Sequence, residues 1–129
     1  MRYLGIDFGE KRIGIALSDA EGDFAYAHSV VANGQHAITE IVALVKKEGV
    51  EALVMGESKD YSGKENTIMP CARAFAAELA LAAGVPLYWE PEFLTSAEAG
   101  RIQGEGRMLD ASAAALILKS YLGRTPRVG

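Results

Sequence analysis

Cysteine occurs only once in this 129-residue sequence, at Cys71. A single thiol cannot form an internal disulfide or a zinc site built from several thiolates, and this usage is typical of a reducing cytosol. Long apolar runs are also lacking, because the longest aliphatic stretch, Ala113–Leu118, falls far below the roughly 18 residues of a membrane span. Asp7 interrupts the region where a signal peptide would need apolar residues. We therefore expect a cytoplasmic protein with no membrane contact.

Positive charge is scarce as well, with 13 Lys and Arg against 17 Asp and Glu and a formal net charge of -4. Affinity for phosphate polymers comes mainly from Lys and Arg, so this balance argues against a general nucleic-acid coat protein. It leaves open an enzyme whose site is built from carboxylates. Neither a Gly-x-x-x-x-Gly-Lys nor a Gly-x-Gly-x-x-Gly motif occurs, and we predict no nucleotide cofactor.

The composition, 50% hydrophobic and 23% charged, is typical of one compact domain. We expect a single domain over residues 1–129, with 123–129 as a flexible tail. A chain of this length buries enough surface to fold without a disulfide or a structural metal.

Apolar runs and their spacing predict the order of the elements. Three β-branched stretches joined by short links with Gly and Asp indicate an antiparallel meander. Helical spacing then alternates with short buried strands, which gives the order β-β-β-α-β-α-β-α. Predicted strands cover 3–8, 12–18, 24–31, 52–56 and 85–90. Three helices are predicted: one from Ile38 to a stop at Gly49, one from an Asn66 cap through Pro70 to Gly84, and one over Ala111–Leu122. A polar loop is predicted at 57–65, and a short helix capped by Thr95 precedes the last helix.

This order predicts an α/β protein whose five-stranded mixed sheet carries helices on both faces. Ligands of such sheets bind at the carboxyl ends of the strands, where several carboxylates fall. Asp7 lies in an otherwise apolar strand, Asp110 precedes the last helix, and Glu57, Glu90 and Glu92 follow or end later strands. Carboxylates that converge there would suit Mg²⁺. Each also has a structural alternative: Asp7 could cap the turn at Gly9 or pair with Lys11 or Arg12, Asp110 could be a helix N-cap, and the three glutamates could be ordinary surface charges.

Several cations are predicted to lie in or beside loops at the same end of the sheet, where they would form a local basic rim that contacts phosphates. The alternative is ordinary solvated charge. His28 and His36 are isolated and are not expected to act in catalysis. Tyr88 and Trp89 are expected to pack, although an aromatic residue at a strand end could stack on an unpaired base. The rim residues are Lys11, Arg12, Lys59, Lys64, Arg101 and Arg107.

The opening GIDFGEKRIGIALSD at 5–19 closely resembles that of the RuvX (YqgF) family of the ribonuclease H-like superfamily. The block VMG at 54–56 with the loop at 60–63 is similar to the family's Val-Gly-Leu-Pro loop. The stretch from Leu109 through Leu122 is similar to the family's closing helix. The resemblance covers nearly the whole chain. It implies a ribonuclease H-like fold in which Asp7 and Asp110 are the acidic positions of the first strand and last helix.

The same resemblance implies a metal-dependent phosphodiesterase that acts on structured nucleic acid, with 5′-end processing of pre-16S rRNA as the favoured task. Two Mg²⁺ or Mn²⁺ ions would be held by Asp7, Asp110 and an intervening Glu, and no His base or Ser nucleophile would be needed.

Two departures from the family affect the choice of that Glu. The sequence PEFLTS at 91–96 stands where the family has Asp-Glu-Arg-Leu-Thr-Thr, so Glu92 is the aligned carboxylate while the Arg, a phosphate donor, is replaced by Phe93. Glu57 replaces an apolar residue of the family's loop and competes with Glu92 as metal ligand. We rank Glu92 first, Glu57 second and Glu90 third.

Other functions remain open at this point. A Holliday-junction resolvase would act on branched DNA and would favour a homodimer over a monomer. A non-catalytic module that binds nucleic acid or the ribosome is a second alternative, favoured by the changes at Pro91 and Phe93. The run Asp7-Phe8-Gly9 also resembles the phosphate-binding opening of sugar kinases and actin-like ATPases, but those proteins need two such domains.

Overall fold

The computed structural model describes residues 1–59, 68–93 and 107–124. Within them lie five strands and three helices in the predicted order. The strands are β1 (Tyr3–Phe8), β2 (Arg12–Ser18), β3 (Ala25–Ala32), β4 (Ala52–Lys59) and β5 (Leu87–Phe93), and the helices are α1 (Ala37–Glu48), α2 (Met69–Ala83) and α3 (Arg107–Arg124).

The strands form one mixed sheet in the order β3-β2-β1-β4-β5. β1 and β2 are antiparallel, as are β2 and β3, whereas β4 runs parallel to both β1 and β5. The apolar run Ala52–Met55 is completely buried because β4 lies inside the sheet and is covered on both faces. The predicted fold class is thereby confirmed.

Helices α1 and α2 cover one face of the sheet. Leu4 and Ile6 of β1 point towards this face, and their cluster includes Ile41 of α1 and Leu79 of α2. Phe8 continues the same alternation, with its ring centroid 5.0 Å from that of Phe75 on α2. Odd-numbered residues of β1 therefore point to the opposite face.

Among the described elements, α3 alone covers that opposite face. Its residues form a second cluster with Ala16 and Val54 of the sheet. The helix comes so close to β1 that a Cβ built on Gly5 would lie 2.8 Å from the Leu118 Cβ and 3.0 Å from the Ala114 carbonyl oxygen. Glycine at position 5 is thus required for α3 to rest on the sheet.

Several predicted boundaries are wrong. β4 extends to Lys59 and β5 to Phe93, because the two strands pair with each other through their polar ends. β5 is the edge strand of the described sheet, where Pro91 is tolerated despite its missing N–H. The short helix predicted at Thr95 lies outside the described residues.

The helix starts also differ from the prediction. The N-cap of α2 is Ile68 rather than Asn66, which lies outside the described residues. α3 begins at Arg107, so Asp110 lies inside the helix and is not its N-cap, and the helix extends through Gly123 of the predicted tail. Gly49 and Gly84 end α1 and α2 as predicted, with φ angles of 67° and 71°. No helix within the described ranges is long and apolar enough to span a membrane.

Candidate functional site

Asp7 lies near the carboxyl end of β1 on the face that α3 covers. It is half-buried and pairs with Gly14 of the antiparallel strand β2. On the other side the parallel register with β4 runs up to Ile6 and Met55, so Gly56 is the next β4 residue. Both neighbouring strands thus present a glycine beside Asp7. The two strand positions beside Asp7 therefore add no side chain of their own.

Position 110 of α3 is brought to the same end of the sheet as Asp7. The ring centroids of Tyr121 and Tyr3 are 5.8 Å apart, and Ala114 and Leu118 lie over Gly5. The helix therefore runs in the direction opposite to β1. Asp110 precedes Ala114 by about one helical turn. Its backbone therefore lies at the level of β1 that Asp7 occupies.

Glu90 of β5 lies on the same face of the sheet as Asp7. Glu90 pairs with Gly56, and Glu92 pairs with Ser58. Glu90 is only 4% exposed, and its Oε2 accepts a hydrogen bond of 2.7 Å from the Ser120 hydroxyl of α3. This bond offsets part of the cost of burying the carboxylate. The backbone of Glu92 lies two residues further towards the end of the strand.

Glu57 points to the opposite face from Asp7, because Gly56 is the β4 residue beside Asp7 and side chains alternate along a strand. Its Oε2 lies 3.4 Å from Nη2 of Arg73 on α2. The structure therefore does not bring Glu57 together with Asp7, contrary to the expectation that Glu57 would lie near Asp7 as a competing metal ligand. Side-chain alternation separates Glu57 from Gly56, but the register that puts Gly56 beside Asp7 is known only from the structure. No signal pointed to Arg73 or Ser120.

Basic positions gather at this same edge of the sheet. Lys11 and Arg12 are exposed in and just after the β1–β2 turn, Lys59 ends β4 and Arg107 begins α3. Lys64 and Arg101 lie outside the described residues. The first residues of α1, α2 and α3 also lie here, because each helix runs antiparallel to the parallel strands, and helix N-termini favour negative charge. The edge is therefore suited to an anionic ligand.

The two histidines take no part in this arrangement. His28 is exposed on β3 and lies 2.8 Å from the Ser29 hydroxyl through Nδ1. His36 precedes α1 and makes no side-chain capping bond. Among the side chains that the structure describes, no three His, Cys, Asp or Glu form a group that could hold a metal ion. The side chains of Glu92 and Asp110 are outside that description.

Comparison with known proteins gives a consistent result. A sequence model of the RuvX family, described as "Holliday junction resolvase", matches residues 1–124. A protein of Moorella thermoacetica is 34% identical over 139 residues, which cover 100% of this chain and 99% of that protein. One from an Anaeromyxobacter species is 38% identical and covers 95% of this chain and 96% of its own length. Both carry the name "Putative pre-16S rRNA nuclease".

Solved structures agree on the fold. RuvC of Thermus thermophilus is 19% identical to this chain, with a TM-score of 0.59, and the match covers 95% of this chain and 97% of RuvC. RuvC of the same organism in complex with a Holliday junction substrate has a TM-score of 0.60 at 16% identity. At these identities the similarity establishes a shared RuvC-like, ribonuclease H-like architecture. The match of the family model to residues 1–124, together with the relatives above 30% identity, shows that this chain belongs to the RuvX family.

Proposed function

We propose that this chain is a metal-dependent nuclease that acts in the cytoplasm on the precursor of 16S rRNA. The names of its relatives supply the substrate. The observation that carries the chemistry is Asp7, a half-buried carboxylate with glycine on both neighbouring strands, at the edge where the helix N-termini and basic positions gather. A carboxylate kept there at the cost of desolvation is well suited to binding a cation.

The donor set fits a hard divalent cation. We propose Asp7, Asp110 and Glu92 as the ligands, all oxygen donors of the kind that Mg²⁺ and Mn²⁺ prefer. Glu57 is left out because its carboxylate faces α2 and contacts Arg73. Two bound ions would activate a water for attack on the phosphate and stabilise the departing oxygen.

The remaining residues of the site bind and orient the substrate. Five basic residues contact phosphates along a short stretch of nucleic acid, namely Lys11, Arg12, Lys59, Lys64 and Arg107. Because the net charge is -4, this local rim is the main source of phosphate affinity. We expect the salt dependence of binding to report about two to five phosphate contacts by the counterion-release relation. A slope that implies eight or more would contradict a short footprint.

The test compares Asp7→Asn with Glu57→Gln, a matched control that also removes one carboxylate charge near the same end of the sheet. Both variants and the wild type are assayed for Mn²⁺ binding by calorimetry and for cleavage of an RNA spanning the 5′ end of 16S rRNA. Asp7→Asn should lower Mn²⁺ affinity at least about 10-fold, or roughly 1.4 kcal/mol, and abolish cleavage. Glu57→Gln should retain both.

The outcomes separate the competing functions. Near-normal cleavage by Asp7→Asn would refute the metal-site assignment. RNA binding without cleavage by the wild type would favour the non-catalytic module. The description of the family as a Holliday junction resolvase favours a second candidate, so a four-way DNA junction should be assayed beside the RNA. Faster cleavage of that junction, with paired nicks, would make branched DNA the substrate and indicate a homodimer.

A further inference from the structure

A cavity of about 340 Å³ lies between α2 and the edge strand β5, on the face opposite to Asp7. This volume is near the lower end of the roughly 300–1,000 Å³ of small-molecule pockets, so it can take one ring system. Small side chains on α2 give the cavity its width. Its lining residues are Arg73, Ala76, Ala77, Ala80, Leu87 and Trp89.

Arg73 and Trp89 supply the two chemical features of this cavity. The Arg73 guanidinium carbon lies 5.5 Å from the centroid of the Trp89 ring, a cation–π distance. The Arg73 side chain contacts Glu57 at 3.4 Å. Because it is also 44% exposed, an anion in solution can reach it. A flat aromatic surface and a planar cation are therefore adjacent in one cleft, surrounded by small apolar side chains.

The cavity lies close to the acidic site, around the edge of the sheet. Trp89 pairs with Met55, one pair before Gly56 and Glu90, which lie in the row of Asp7. β1 and β5 are separated only by β4, and neighbouring strands are about 4.8 Å apart. A nucleic-acid strand that leaves the acidic site past the edge of β5 therefore reaches this cavity within a few nucleotides.

We propose that the cavity binds one unpaired nucleobase of the RNA substrate, stacked against Trp89, while Arg73 contacts the adjacent phosphate. Aromatic side chains bind unpaired bases through stacking without regard to sequence, and arginine suits both phosphate and π surfaces. The proposal rests on the proposed nuclease function. Arg73 would supply a phosphate contact in a sequence that has Phe93 at the position of the family's arginine.

Trp89 is the one tryptophan of the sequence, so its fluorescence reports on this cavity directly. Two RNA hairpins are titrated into the wild type without divalent metal, one blunt and one with a four-nucleotide unpaired extension. Binding is followed by the anisotropy of a label on the RNA and by Trp89 emission. The extended hairpin should quench Trp89 and bind at least about 5-fold more tightly, as expected for stacking of one base. The blunt hairpin should leave the emission unchanged.

Variants separate stacking from a general effect on folding. Trp89→Leu should abolish the preference for the extension, whereas Trp89→Phe should retain most of it, both measured by anisotropy. Arg73→Gln should weaken binding of the extended hairpin but not of the blunt one. Lys119→Gln removes a positive charge from the exposed surface of α3 and should change the binding of neither hairpin. Saturable binding of the extended hairpin without a change in Trp89 emission would overturn the proposal. So would a Trp89 signal that depends only on protein concentration, because it would assign the cavity to a second copy of the chain.

The two proposals fail in different ways. Metal-dependent cleavage of the precursor RNA without any preference for the extension would remove the cavity site and leave the nuclease intact. A preference for the extension that depends on Trp89, in a protein that cleaves nothing, would retain the cavity site and refute the nuclease. Failure to bind either hairpin would overturn the cavity site.

Discussion

Gly5→Ala should displace α3 from the sheet. The added Cβ would lie 2.8 Å from the Leu118 Cβ and 3.0 Å from the Ala114 carbonyl oxygen. Neither atom belongs to the flexible end of a side chain, so the helix itself has to move. Overpacking of this kind costs about 1–3 kcal/mol. For a domain of this size, that cost lowers Tm by about 3–10 °C.

Gly123→Ala is the matched control, because it makes the same chemical change on α3 where no atom lies within 4 Å of the added Cβ. Replacing a helical glycine by alanine should leave the free energy of unfolding unchanged or raise it by up to about 1 kcal/mol. Both variants are compared by urea unfolding and by Mn²⁺ calorimetry. Since α3 carries Asp110, Gly5→Ala should also weaken Mn²⁺ binding. A Gly5→Ala protein that unfolds at the same urea concentration as the wild type would refute the close-contact argument.

Two further perturbations test other parts of the structure. Ser120→Ala removes a hydroxyl donor from the buried Glu90 carboxylate. It should lower the free energy of unfolding, measured by urea denaturation, by about 1–3 kcal/mol. Ser120→Thr keeps a hydroxyl and should retain most of the wild-type stability. The backbone N–H of Phe24 is the main group that lowers the pKa of Asp19 below 3.8, with a further bond from Asp23. Because the pKa of Asp19 is lower in the folded state, its carboxylate stabilises the protein at pH values above the unfolded-state pKa. This stabilisation is lost as the pH falls through the folded-state pKa. Between about pH 5 and pH 2, the wild type should therefore lose more of its Tm than Asp19→Asn, and equal losses would contradict this role of Asp19.

The order of the elements could be predicted because each apolar run has the period of its structure. Ile38, Ile41 and Val45 recur at helical spacing and lie on the buried side of α1. Glycines at 49 and 84 adopt the left-handed conformation that ends a helix. Local chemistry fixed these features, so no knowledge of the neighbouring elements was needed.

Polar strand ends escaped prediction because their stability comes from backbone pairing. The residues from Glu57 to Lys59 carry no apolar side chain, so the hydrophobic pattern ends at Gly56 although the hydrogen-bonded ladder with β5 continues to Phe93. The start of α3 at Arg107 was missed for a similar reason, since Gly104–Gly106 indicated a gap and Asp110 is a common N-cap residue.

The candidate site was predictable only in part. Asp7 was identified from its position in an apolar strand and Asp110 from its place near the last helix, and the family resemblance then implied both as acidic site positions. The direction of a side chain at a strand end depends on register, which separates Glu57 from Asp7 although Gly56 lies beside it. The assignment of Asp110 and Glu92 as metal ligands stays a prediction.

The position of α3 in the chain has a consequence for synthesis on the ribosome. All five strands that the structure describes precede α3, so a nascent chain can pair these strands while the surface around Gly5, Ala16 and Val54 is still uncovered. That surface is apolar and open to chaperones or to aggregation until α3 emerges. Because Asp7 lies in β1 and Asp110 in α3, a product that stops before α3 lacks one of the two aspartates proposed as metal ligands. In a nuclease, this order of synthesis would keep unfinished chains from cutting RNA.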